Sequence, residues 1–267
     1  MSAEPFASPV ARASLRTATV LHLFGGPYVS FGGTRRQVPE GSKRLLVFVA
    51  LHRQRIERRW AAGSLWPVTD DLRASGNLRS ALWRLRTSGV DVVAADKWSL
   101  SLSEGVVVDL HEISDWATRL IRHTAEHDDL KVPTAGLDAL DLLPGWYDDW
   151  VLMERERLRQ RVLHALEALS RLLTGRRRHA EAVEAAMTAV TAEPLRESAQ
   201  RALIEAHLAE GNWIEGRRTL DAYRVLLYRE LRVLPAADLA GLVTRASGRP
   251  GSAHALDDDP SAVLVGG

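Results

Sequence analysis

The chain contains no cysteine in its 267 residues. That excludes disulfide frameworks, thiolate zinc sites and cysteine nucleophiles, and it fits a reducing compartment. Long apolar runs are also missing: none approaches the ~18 residues of a membrane-spanning helix. The stretch from Met1 to Ala18 lacks the hydrophobic centre of an export signal. The expectation is a cytoplasmic protein with no membrane partner. Lysine is scarce: only Lys43, Lys97 and Lys131 occur, so 32 of the 35 basic side chains are arginine, a residue suited to phosphate and guanine. No G-x-x-x-x-G-K-[ST] run follows a strand, which argues against phosphate cradling, and Gly25-Gly26 and Gly32-Gly33 read as hairpin turns. No Ser/His/Asp order or carboxylate pair stands in a catalytic context. His123 and His127 are spaced i, i+4 beside Asp128 and Asp129, but no third and fourth ligands are evident. The expectation is therefore no catalysis, no cofactor and no metal.

What is present is organised. The length admits two domains, and 46% hydrophobic residues allow each a core. The net charge of +1 hides an asymmetry: residues 1–105 hold 15 basic against 8 acidic side chains, a net of +7, and the remainder carries a net of −6. A polyanion is drawn to the first part and held away from the second.

The stretch Ser42 to Leu102 concentrates the signal. It reads as two short apolar helices, a third rich in arginine, and a hairpin. Ser42 is a candidate N-cap for the first helix, with Leu45, Leu46, Phe48, Val49 and His52 on it; the second spans about Glu57 to Leu65 and stops at Trp66-Pro67. In the third, about Asp70 to Thr87 with Thr69 as its cap, Ala74, Leu78, Leu82 and Leu85 share one face, Ala81 beside them. The other sides carry Arg73, Asn77, Arg79, Ser80, Trp83, Arg84, Arg86 and Thr87. Val92 to Ala95, a turn at Asp96-Lys97, and the alternating Trp98 to Leu102 complete the hairpin. Three helices with a basic last helix, closed by a hairpin, describe a winged helix-turn-helix and point to duplex DNA. Outward Arg73 and Arg84 suit guanine edges, with Ser80 or Trp83 on base edges or sugars, while Arg79 and Arg86 suit phosphates. Lys97 has the reach for a minor-groove or backbone contact. Trp83 has a competing reading as cover for the junction of helix and wing. Trp60, Trp66 and Trp98 read as core.

Before this stretch, residues 1–18 read as a disordered tail, and Thr19 to Val38 as strands between glycine turns. After it, Val106 to Asp109 lead across a domain boundary placed at 105/106. From Leu110 to about Ala246 the pattern is helical, with segments near 110–126, 133–141, 148–174, 178–192, 195–210, 213–231 and 236–246. A repeat at a separation of 34 pairs Ala165 with Ala199, Leu169 with Leu203, Ala180 with Ile214, Glu181 with Glu215 and Ala182 with Gly216. That period marks tetratricopeptide-like helical hairpins. Residues 247–267 read as a flexible tail. The fold class is an α+β winged helix-turn-helix domain followed by an all-α tetratricopeptide-like array.

Leu21-His22-Leu23-Phe24-Gly25, Lys43-Arg44-Leu45-Leu46, Leu65-Trp66-Pro67 and Asn77 to Arg86 resemble the OmpR-like DNA-binding domain of the SARP family (Streptomyces antibiotic regulatory proteins). Leu143 to Trp150, Glu154-Arg155, Glu193 to Glu197 and Leu227 to Leu231 resemble its bacterial transcriptional activation domain. The resemblance covers about residues 19–245. It departs from the family at Gly76, inside the third helix, and at Arg232-Val233, where a helix-ending glycine is usual. It implies an activator of secondary-metabolite (antibiotic) genes, associated with the nucleoid. Such a protein binds promoter direct repeats beside a second protomer and recruits RNA polymerase holoenzyme through its sigma factor. It also implies packing of Trp146, Tyr147 and Trp150 between the domains. Two other readings fit the residues alone: a protein-interaction adaptor built on the helical array, and a repressor using the same DNA-binding fold.

Overall fold

The computed structural model describes residues 18–133 and 142–247. The tails expected over 1–18 and 247–267, and the helix expected near 133–141, lie almost wholly outside those residues. The first part runs β1 (Thr19–His22), β2 (Tyr28–Phe31), β3 (Thr34–Arg36), α1 (Glu40–Leu51), β4 (Ile56–Glu57), α2 (Arg58–Leu65), α3 (Asp71–Thr87), β5 (Val93–Ala95), β6 (Ser99–Leu102) and β7 (Val106–Val108). The second runs α4 (Asp109–Ile121), a 3-10 turn at His127–Asp129, α5 (Asp149–Gly175), α6 (His179–Ala192), α7 (Glu197–Glu210), α8 (Trp213–Leu231) and α9 (Ala237–Ser247). This is a winged helix-turn-helix followed by an all-α, tetratricopeptide-like array.

Two small sheets frame the three-helix unit. One has the strand order β3-β2-β1-β7, the other β4-β6-β5. β1 pairs antiparallel with β2, Leu21 opposite Val29, and parallel with β7, Leu21 opposite Val108. The residues just past the wing thus return to the first sheet, and the expected boundary at 105/106 falls immediately before a strand of that sheet.

The helix caps differ from expectation in two places. Ser42 lies inside α1, whose N-cap is Pro39, and its buried hydroxyl donates to Ala81 O at 2.9 Å, joining α1 to α3. A hydroxyl that serves a neighbouring helix is not available to its own N-terminus. Asp70, not Thr69, caps α3, accepting from Arg73 N at 2.8 Å. The Thr69 hydroxyl instead donates to Trp66 O at 3.0 Å.

The second part stacks antiparallel hairpins. Ala165, Leu169, Ala182 and Ala199 of the repeat are buried, and at Gly216 a Cβ atom would stand 3.2 Å from Leu208 Cδ2, so the small residue sets the approach of α8. Buried Glu167 of α5 accepts from Arg196 Nε at 2.6 Å and from Ser198 Oγ at 2.7 Å, and Arg196 also reaches Gln160 at 2.7 Å. The carboxylate is paired with Arg196 and accepts two hydrogen bonds at Oε1, which offsets part of the cost of burying it.

One buried apolar cluster runs from Leu21 through α1–α3 and on into α4, α5 and α6. Polar ties cross the same junction. Arg53 bonds Asp115 at 2.8 Å and His111 O at 2.9 Å, His111 Nε2 lies 2.8 Å from Ala50 O, and Leu143 N donates to Leu23 O at 3.2 Å. Phe48 meets the edge of Trp150 at 5.4 Å between centroids. Trp146 and Trp150 pack against this core as expected, whereas Tyr147 is 79% exposed. Arg155 fixes the turn before α5 by donating to Leu142 O and Leu143 O, each at 2.8 Å, and to Trp146 O at 3.2 Å.

Candidate nucleic-acid interface

Helix α3 buries Ala74, Leu78, Ala81, Leu82 and Leu85 and turns its other side outward. Arg73, Arg79, Ser80, Trp83, Arg86 and Thr87 are exposed, and Asn77 and Arg84 are half-buried. At 3.6 residues per turn, Leu72, Gly76, Arg79, Ser80 and Trp83 centre on the outward face. Trp83 is 65% exposed, so it does not cover the junction of helix and wing.

The arginines differ in how they are held. Arg79 and Arg86 form no ion pair with the described residues. Arg73 pairs with Asp70 at 3.4 Å, and Arg59 of α2 with Asp71 at 2.9 Å, both exposed. Exposed pairs contribute only about 0–1 kcal/mol, so a phosphate can displace them. Arg84 departs from its expected outward role. Its Nη2 donates to Gly41 O at 3.1 Å, and its Nε is buried without a partner. The guanidinium lies on the start of α1, where it braces the helix pair. The wheel angle of Arg84 is outward-leaning, but α1 covers that flank, and a single-helix wheel does not show neighbours.

The wing is braced from behind. The two-residue strand β4 pairs Ile56 with Leu100. Asp96 at the turn accepts from Trp98 N and Ser99 N, both at 2.7 Å, and those backbone N–H groups hold its carboxyl below the usual carboxylate range. Arg55 reaches Asp96 and donates to Ser99 Oγ at 3.1 Å, and Arg58 donates to Asp96 O at 2.9 Å. These two arginines were missed because the contacts join residues about 40 apart through a strand too short to show a period. Lys97 is exposed at the tip, its ammonium 4.8 Å from the Trp98 ring centroid.

Two tryptophans expected in the core are not there. Trp98 is 71% exposed: alternation would set it on the face of buried Leu100, but it precedes Ser99, the first paired residue of β6, and the turn carries it out of the ladder. Trp60 is 51% exposed, leaning on Phe48 and His52 at 5.2 and 5.1 Å, because the eight-residue α2 buries only Ala61, Ala62 and Leu65. Trp66 is half-buried against the core. Of the acidic residues beside His123 and His127, Asp129 is taken by Arg119, at 2.7 Å, and by the backbone N–H of Glu126.

A basic helix with an outward face, a braced wing and a helical array define the class by fold: a winged-helix domain carrying a second, helical domain. The family model for the bacterial transcriptional activator domain matches residues 135–245. Among solved structures the chain is similar to EmbR of Mycobacterium tuberculosis, seen in complex with a low-affinity phosphopeptide. The TM-score is 0.63 and the identity 16%, over 86% of this chain and 65% of EmbR. The chain therefore spans just under two thirds of that protein's length, and the likeness is one of fold. No curated protein matches the chain. Winged helix and activator domain, in that order, support assignment of the chain to the SARP family that its motifs resemble.

Proposed function

We propose that the protein is a sequence-specific DNA-binding transcriptional activator. In this reading α3 enters the major groove, while Arg73, Arg79 and Arg86 contact phosphates along it and Lys97 reaches the backbone beside the wing. Asn77, Ser80 and Thr87 lie within the same footprint, and Arg84 sets the seat of α3 on α1. The observation that carries the reading is the outward arginine face of α3 on a core continuous with the activator domain. Docking on DNA then orients that domain as well. The finer expectations belong to the same proposal: direct repeats read by two protomers, recruitment of RNA polymerase holoenzyme through its sigma factor, a secondary-metabolite gene cluster as target, and a place on the nucleoid in the cytoplasm.

The test uses the full chain. Duplexes selected from a random pool should bind with affinity that falls with salt at a log–log slope of about −4 to −5, as for roughly five neutralised phosphates. With purified polymerase holoenzyme, transcription from a promoter carrying the selected site should rise. Absence of salt-dependent binding overturns the DNA reading, and a fall in transcription replaces activator with repressor.

A further inference from the structure

Two large apolar side chains stand on the outward face of α3, which they share with Arg79, Ser80 and Thr87. Leu72 is 85% exposed and Trp83 65% exposed. Both lie within about 40° of Gly76 on the helix surface. Gly76 carries no Cβ although one would have room, its nearest neighbour being Arg79 Nη2 at 3.8 Å. The backbone at this point therefore lies open between two large apolar side chains. Leu72 and Trp83 are separated along the axis by about 16 Å, roughly five base-pair steps. Arg73, Arg79 and Arg86 flank this ridge. Both side chains stand on the same exposed side as the arginines, so whatever those cations dock against meets these apolar groups as well.

Resting on the DNA-binding reading above, we propose that Leu72 and Trp83 are specificity-determining residues that recognise the C5-methyl groups of thymines in the major groove. Gly76 lets the helix approach the bases between them. The chemistry fits one feature of the groove. The thymine methyl is its apolar landmark, and each base pair otherwise presents donors and acceptors that a leucine or an indole face cannot match. The flanking arginines supply the attraction that draws this ridge into a polyanion, a complementarity that the net charge of +7 over residues 1–105 extends. Reading is thereby divided: phosphates by the arginines, methyl groups by Leu72 and Trp83.

The experiment compares the best duplex selected by the full chain with the same duplex carrying deoxyuridine for thymine, one position at a time. The exchange removes only the methyl group. Affinity should fall about fourfold at each contacted position, as expected for burying one methyl group. In Leu72→Ala and in Trp83→Ala, both surface changes, the fall should vanish at one position each and persist at the other. Arg86→Ala should weaken both duplexes alike and leave the fourfold ratio intact. Equal affinity of the unaltered chain for thymine and uracil duplexes overturns the proposal, as does a selected site without thymine. A ratio unchanged in both ridge variants overturns its assignment to these residues. Absence of salt-dependent binding to any duplex is a separate outcome, which removes the DNA reading on which the proposal stands.

Discussion

Asp109, the first residue of α4, ties the end of β7 to the loop that follows β1. Its carboxyl accepts from Leu23 N at 2.9 Å, Phe24 N at 3.2 Å and Leu110 N at 2.7 Å. Burial nevertheless pushes it up to about 6, against the pull of those N–H groups, with a small further rise from Glu112. His22, whose Nδ1 stands 3.9 Å away, is held below its ordinary value by burial and by Arg35. A carboxyl raised in the folded state binds its proton more tightly there than in the unfolded chain. Its contribution to stability is complete below the unfolded value near 4 and is lost as the pH rises through 6. Relative to Asp109→Asn, the unaltered protein should lose roughly 2–3 kcal/mol between about pH 4 and pH 7 and nothing further above it. Denaturant unfolding of both proteins across that range checks this, and a flat difference refutes it. Nothing in the local sequence marks this tie, because Leu23 and Phe24 lie about 85 positions away.

At the scale of elements, α8 shows how a departure from a family pattern is accommodated. The position after Glu230-Leu231, where glycine is usual, holds Arg232. The helix ends there all the same, at Leu231, and Arg232 takes the left-handed conformation at φ 59°. A side chain in that region costs about 1–2 kcal/mol. The guanidinium stands 5.3 Å from the Tyr228 ring centroid, which recovers part of that cost. Arg232→Gly should therefore stabilise the full chain by about 0.5–1 kcal/mol, read as a rise in the urea midpoint at unchanged slope. A fall in the midpoint contradicts the account. The other elements of the array follow their sequence signals closely. The expected segments 148–174, 178–192 and 213–231 appear as Asp149–Gly175, His179–Ala192 and Trp213–Leu231. Each is bounded by a local breaker and carries a regular apolar stripe. The two-residue strand β4 has no such period, and it escaped a reading by alternation.

For the whole molecule, the shared core is the governing fact. The apolar cluster passes from β1 and α1 into α4 and α5 without a break, and the Phe48–Trp150 contact and the Arg53–Asp115 ion pair span the same junction. The two parts should unfold together, in one transition with coincident circular dichroism and tryptophan fluorescence. A chain ended after Glu104 lacks β7, Asp109, Leu143 and Trp150, so its midpoint should lie well below that of the full protein. Two separated transitions, or a fragment as stable as the whole, would show the junction to be weak.

The amino-acid sequence by itself determined the helices of the array, the arginine-bearing face of α3, the hairpin of the wing and the turns between them. Periodicity, caps and breakers act within a few residues and survive without knowledge of neighbours. Tertiary structure alone decided that β7 returns to pair with β1, that Arg84 lies against Gly41, that Arg55 and Arg58 brace the wing, and that Trp60 and Trp98 face solvent. Each of those outcomes depends on which surface a distant segment covers. Burial and partner choice follow from the packing of the whole chain, and a local window of sequence contains only one side of each contact.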